Sequence, residues 1–344
     1  MESPQIMFSL PNNKRNIRRT EFGKFTLFKY VKPMQQIDSD AGMGVYRSVV
    51  MCGEQVMCVA PPRAMPLTDF IEKYPFECVT VDEIVDGTMV NVFFMDNKWH
   101  RCTKSNVGAT NGFLEGAPTF GEMFDDVAIK FEELDQNRVY SFVLQHPQNR
   151  IVSPVNKARV VLIKSYSISG LDVVEMPLPP NFPRPEPVVA SSYAELKETA
   201  LTLSFERKGF MLHAPDGART KIFGEAYLKI SALRGSESSV KFRLLQLRDK
   251  AELTKLLEFY PEFGSLATST KTAVRRFTNE LFSMYLDCYK SKTKPLKEYP
   301  YEFKRHLVAL HHLYIAEWPT PIHKKRVVDY VSTLHAAELC SAGV

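Results

Sequence analysis

The feature of this chain that most constrains its fold is a change of hydrophobic period close to Val240. Before it, apolar and β-branched residues alternate in short runs separated by turn residues, the period of half-buried strands. Residues 46–51 and 55–60 flank Gly53-Glu54 and read as a hairpin. Residues 79–85 and 88–95 repeat that arrangement around Asp86-Gly87, and Asp96-Asn97 turns the chain into 98–103. A further pair, 138–145 and 158–168, is rich in β-branched and aromatic side chains. A short helix is expected at 193–201, then strands at 209–213, 220–223 and 227–230. After Val240 the period becomes that of amphipathic helices. Asp249 to Glu252 resembles a helix-start cap, followed by Leu253, Leu256, Leu257 and Tyr260 on one face. Val274, Phe277, Leu281, Tyr285 and Cys288 mark a second helix, and Phe303, Leu307, Leu310 and Tyr314 a third. A fourth is expected to start near Thr320-Pro321 and to carry Val327, Val328, Val331 and Leu334. The plan is an α+β first domain and an all-α second one.

With 344 residues, 44% of them hydrophobic, the chain can bury two such cores. The expected divisions are a basic N-terminal arm over 1–32, an α+β domain over 33–240 and a helical domain over 241–344. The arm brings Lys14, Arg15, Arg18 and Arg19 close together. Residues 176–187, MPLPPNFPRPEP, hold too many prolines for a helix or a central strand and read as a surface excursion inside the first domain. The net charge of +5 permits a polyanion partner without demanding one. Six cysteines show no Cys-x-x-Cys pairing, which speaks against a zinc ribbon or a disulfide framework and for a reducing compartment. No apolar leader opens the sequence, and no run is long enough to span a bilayer. The expectation is a soluble intracellular protein with no membrane partner.

Six elements follow one another in a specific order. They are residues 79–88 (VTVDEIVDGT), Trp99 with Thr103-Lys104-Ser105, residues 142–152 (FVLQHPQNRIV), Lys208-Gly209-Phe210-Met211, Lys221-Ile222-Phe223 with Tyr227, and the helical tail after Leu233-Arg234-Gly235. An Asp-Gly pair alone is a turn signal; the Pro-x-Asn-Arg-Ile-Val string is the most specific single piece. Together, over residues 45–230, they resemble the nucleotidyltransferase domain of ATP-dependent RNA ligases and mRNA-capping relatives, especially the phage-type RNA ligases. The tail is similar to divergent ligase-like proteins of large DNA viruses. The resemblance implies antiparallel sheets with flanking helices followed by an all-α domain. For an active member it implies ATP and Mg2+ as cofactors, and for a viral one a cytoplasmic or virion-associated location.

That family uses the lysine of Lys-x-Asp-Gly to attack the α-phosphate of ATP, with carboxylates for ribose and metal and cations for the phosphates. Matched residue by residue, Ile84 stands at the nucleophile, and an isoleucine side chain has no lone pair to attack with. Val143 stands at the ribose-binding Glu, Lys208 at a metal-organising Glu and Phe223 at the second lysine of the fifth element. Asp86, Gly87, Lys104 (for Arg), Arg150 and Lys221 survive and are the candidate nucleotide-binding residues. Four departures together imply a degenerate active site with no catalytic residue in place, and a protein acting by binding RNA, nucleotide or a protein partner. The alternatives are an active enzyme with a relocated lysine, Lys104 or Lys221, and a structural or assembly protein of a large DNA virus.

Lys104, Arg150, Lys164, Arg219 and Lys221 could line the former nucleotide groove or stand as solvated strand ends. Asp82 and Glu83 point to opposite faces of a strand, a poor acid pair. His306 and His311 are five apart, a poor helix spacing for shared metal ligation, so they read with His312, His323 and His335 as packing or surface residues. The basic run 289–297, with Arg275-Arg276 and Lys324-Lys325-Arg326, reads as solvated faces or as an RNA-contacting surface.

Overall fold

The computed structural model describes residues 4–7, 16–31 and 43–344. The chain divides into two compact units, Met1–Ser231 and Ala232–Val344, where the period change had placed the boundary after Val240. The first unit runs β1 (Gln5–Met7), β2 (Ile17–Phe22), β3 (Phe25–Tyr30), β4 (Val49–Cys52), β5 (Gln55–Val59), α1 (Leu67–Lys73), β6 (Thr80–Glu83), β7 (Thr88–Met95) and β8 (Lys98–Cys102). It continues with α2 (Phe120–Asp125), β9 (Arg138–Gln145), β10 (Arg159–Ser169), β11 (Asp172–Met176), α3 (Tyr193–Thr202), β12 (Gly209–His213) and β13 (Arg219–Phe223). A further helix, α4 (Glu225–Arg234), runs across the division.

Three antiparallel sheets form, with orders β1-β11-β10-β9-β7-β8, β13-β12-β6 and β2-β3-β4-β5. Strand β9 shows how period-2 alternation builds both core and site. Tyr140, Phe142 and Leu144 point to one face and pack with Phe120, Met123 and Phe124 of α2. Val139 points to the other face and joins Phe25, Leu27 and Val50 of the four-stranded sheet. Farther along that second face come Ser141, Val143 and Gln145, where the sheet is no longer covered by apolar side chains and a groove begins. The three-stranded sheet buries Val81, Phe210, Leu212 and Ile222 against Phe70 of α1 and Leu196 and Ala200 of α3.

The second unit holds α5 (Val240–Leu247), α6 (Ala251–Phe259), α7 (Gly264–Tyr285), α8 (Tyr301–Ala316), α9 (Lys324–Thr333) and α10 (Ala336–Ser341). Its core gathers Phe277, Leu281 and Tyr285 from α7, Phe303, Leu307 and Leu310 from α8, and Val327 and Val331 from α9, the stripes that helical spacing anticipates. His306 is buried there, with Nδ1 2.8 Å from the Tyr330 hydroxyl, and His311 stacks on Tyr289, so both are packing residues. All six cysteines are free thiols, and no helix among the described residues is long and apolar enough to cross a membrane.

The structure corrects several expectations. Residues 79–85 and 88–95 are not a hairpin: β6 pairs with β12 and β7 with β8 and β9, so Asp86-Gly87 joins two different sheets. Alternation reveals a strand but not its partner. Residues 227–230 are helical, within α4, because Tyr227 and Ile230 bury one side at a spacing of three and Lys229 pairs with Glu225 one turn back. Residues 16–31 are a hairpin rather than an arm: Phe25 and Leu27 are core, Gly23 takes the turn at φ +59°, and Arg18 and Arg19 ride on β2. Lys14 and Arg15 lie outside the described residues. Helix α6 takes Lys250, without a side-chain cap bond, at its start, and α9 begins at Lys324 rather than near Thr320. Helices α1, α2, α5 and α10 lie where the sequence reading places no helix.

Candidate functional site

The turn from Ile84 to Gly87 carries the chain from the three-stranded to the six-stranded sheet, and it is held at each step. The Ile84 amide donates to the Gly209 carbonyl at 2.8 Å, extending the β6–β12 pairing. The Asp86 carbonyl accepts from Gln145 Nε2 at 2.7 Å. Gly87 presses on β9 so closely that a Cβ there would meet the Leu144 carbonyl oxygen at 2.4 Å and Val143 Cγ1 at 2.7 Å. The glycine is demanded by close approach.

Asp86 is buried, and both of its oxygens are engaged. Oδ1 accepts from Lys208 Nζ at 2.9 Å and from the Tyr227 hydroxyl at 2.7 Å. Oδ2 accepts from the amides of Val152 and Ser153 at 3.0 and 3.1 Å. Burial works against the charged carboxylate, yet Lys208, Tyr227 and the Ser153 amide outweigh it and hold Asp86 below the usual carboxylate range. The cation at position 208 is therefore the direct partner of Asp86. Charge-assisted bonds of this kind satisfy the buried carboxylate locally and leave it little capacity for a further ligand.

The other side of the turn is a face of the three-stranded sheet. Register places Asp82, Met211 and Lys221 in one row across β6, β12 and β13, with Thr80, His213 and Arg219 in the row before. Side chains directly opposite share a face. This face and the groove face of β9 and β10 enclose a cavity of about 330 Å³, floored by Ile84, Val85, Met89, Val143 and Ile163. Its charged lining is Arg47, Lys164, Arg184, Lys208, Arg219 and Lys221 against Asp82 and Glu83. A bulge in β10 between Leu162 and Lys164 sets Lys164 opposite Ser141 and so turns it toward the groove, where it pairs with Glu175. Asp82 faces His213 at 3.3 Å and Glu83 faces Arg207 at 3.4 Å.

Two cations in this cavity are exceptional. Arg219 is buried and donates to the Pro61 and Pro62 carbonyls, and burial with the nearby Arg47 brings it down to about 10. Lys221 also lines a second cavity of about 530 Å³ with Tyr30, Arg47 and Lys104. Among the described residues no carboxylate pairs with it; its Nζ lies 5.7 Å from the Phe223 ring centroid. Burial first, then Arg47, Arg219 and Lys208, lowers Lys221 from the usual 10.5 to about 7. An amine so placed is half uncharged at neutral pH.

Of the candidates from the sequence, Gly87, Lys164, Arg219 and Lys221 come together at the cavity. Lys104 stands apart on the second cavity, 4.5 Å from the Tyr30 ring centroid. Arg150 turns onto its own backbone, donating Nε to the Val152 carbonyl at 3.0 Å, and so braces the segment whose amides hold Asp86. Arg47 and Arg184 were missed. Nothing local marks Arg47. Arg184 lies in the proline-rich connector, which bonds to both sheets: Pro183 accepts from Leu162 of β10 and Glu186 from Glu83 of β6.

The Mg2+ that the resemblance implies finds no seat here. Both matched glutamate positions lack acids, Asp86 is saturated, and no group of three His, Cys, Asp or Glu among the described residues could hold a metal. The phosphates of ATP do suit the cationic lining, since several donors converge on a largely apolar floor.

No protein-family model matches the chain. It is similar to the immediate-early protein ICP-46 homolog of Invertebrate iridescent virus 3, 23% identical over 218 residues, or 60% of this chain and 48% of that protein. The chain thus spans about half the length of this curated relative. Among solved structures it is similar to a candidate ATP-dependent DNA ligase from Aquifex aeolicus, with TM-score 0.46, 13% identity and 78% of each chain covered. It is also similar to an archaeal ATP-dependent RNA ligase, with TM-score 0.42, 12% identity and 92% of each chain covered. The first unit is thus an α+β body of three antiparallel sheets with flanking helices, and an all-helical unit follows it in the chain.

Proposed function

We propose that the first unit is a ligase-like fold that holds the phosphates of a nucleotide or an RNA end in its cationic groove without joining them covalently to the protein. One observation carries the reading: Asp86 is neutralised from within by Lys208, whereas Lys221, Arg47 and Arg219 crowd together with no carboxylate at ion-pair distance among the described residues. Cations gathered at such cost are relieved by an anion, and phosphate is the anion a groove of this size and shape accommodates. The apolar floor of Ile84, Val143 and Met89 gives a base or ribose something to lie on but nothing that reacts with it.

The test is equilibrium binding of a short 5′-phosphorylated single-stranded RNA and of a fluorescent ATP analogue to the wild type and to Lys221→Met. Binding should weaken with added salt, and the wild type should lose affinity between pH 6 and pH 8 relative to the variant, because an anion favours the charged Lys221. Absence of binding at low salt sinks the proposal.

A second reading is favoured by one specific feature. An amine with its pKa near 7 has the lone pair that a nucleophile needs, so Lys221 could accept a nucleotidyl group in place of Ile84. The carboxylates such chemistry needs are absent from the matched positions.

A further inference from the structure

The helical unit contains its own groove, of about 760 Å³, between α6, α7 and α9 with α5 beneath. Leu253 and Leu257 of α6, Ala267 and Val274 of α7, and Val328 of α9 line it with apolar surface. Val328 is 47% exposed, and the two leucines are half-buried rather than sealed in the core. Around this apolar strip stand Lys271, Arg275 and Lys324, all exposed, and none forms an ion pair among the described residues. The one acid in the lining, Asp249, is already paired with Arg248. At the groove floor Thr270 is 4% exposed, and its hydroxyl has no hydrogen-bond partner.

We infer that this groove takes the apolar face of an acidic amphipathic helix from a partner protein. An apolar strip between two helices matches side chains presented at i, i+3, i+4 and i+7. The rim of three unpaired cations selects an occupant whose flanks are Glu and Asp. Single-stranded nucleic acid would also meet the charge. It prefers flat aromatic surfaces for its bases, however, and the apolar lining here is aliphatic. The inference is independent of the phosphate groove in the first unit.

The experiment uses the full chain and a fluorescent designed peptide of about 18 residues, long enough for helix formation on binding. It carries Leu at the helical spacing with Glu elsewhere. A second peptide of identical composition spreads the leucines around the helix. The expected result is saturable binding of the first peptide and at least about tenfold weaker binding of the second. Val328→Glu should weaken the first by about tenfold or more, as should Lys271→Glu with Arg275→Glu, with circular dichroism unchanged because these positions are exposed. Single-stranded RNA should not displace the peptide. Equal binding of the two peptides, indifference to Val328→Glu, or displacement by RNA would overturn the inference.

Discussion

Asp86 and Lys221 lie on opposite sides of one turn and show two solutions to burying a charge. Asp86 has a cation, a phenol and two amides within hydrogen-bonding distance. Lys221 has three cations for neighbours and an aromatic ring. The first arrangement is closed, since every strong acceptor direction is used and nothing is gained by adding a ligand. The second is open, since an arriving anion would favour the charged amine over the neutral one. On the acid side of this turn the charge is satisfied within the fold. On the basic side, Lys221 has no carboxylate partner among the described residues.

That contrast can be broken at graded cost. Asp86→Ala should have the largest effect, because it leaves the half-buried Lys208 without its carboxylate and two amides unfilled; a loss of about 3–5 kcal/mol is expected in denaturant unfolding, more than for Asp86→Asn. Gly87→Ala forces a methyl group against the Leu144 carbonyl and should cost about 2–3 kcal/mol by the same measurement. Lys221→Met should act in the opposite direction. The folded-state pKa of Lys221 lies near 7, below its unfolded value, so the native protein sheds that proton first and wild-type stability should rise from pH 7 towards pH 10. The variant should be more stable than wild type by on the order of 2 kcal/mol at pH 6, with the gap closing at high pH. Thr270→Val, in the second unit, removes an unpaired hydroxyl and should raise stability by about 1 kcal/mol. A flat stability difference between pH 6 and pH 10 for Lys221→Met would show that the crowding at Lys221 is not felt.

Much of the fold was legible because local rules govern it. Asp96 and Asn97 both take positive φ, 52° and 57°, which is why that dipeptide announced the β7–β8 hairpin. The stripes of α7 and α8 needed only their spacing. What escaped depends on partners far away in sequence. The pairing of β6 with β12 joins residues more than a hundred positions apart, and no period in residues 79–95 reveals it. Tyr227 to Ile230 is too short for alternation and helical spacing to be told apart. At the site, the register of Asp86-Gly87 and the reversed charge at Lys208 were visible in the sequence. That Lys208 answers Asp86 directly, and that Arg47 and Arg184 complete the cationic lining, required the sheets to be assembled first.

The central claim is that the groove holds phosphate without covalent transfer. Intact-mass spectrometry of the purified chain after incubation with ATP and Mg2+, beside the same sample assayed for retention of fluorescent ATP analogue, tests it most directly. The account predicts retention of the analogue with the protein mass unchanged. A mass heavier by one AMP in the wild type, lost in Lys221→Met, would contradict it and establish Lys221 as the relocated nucleophile.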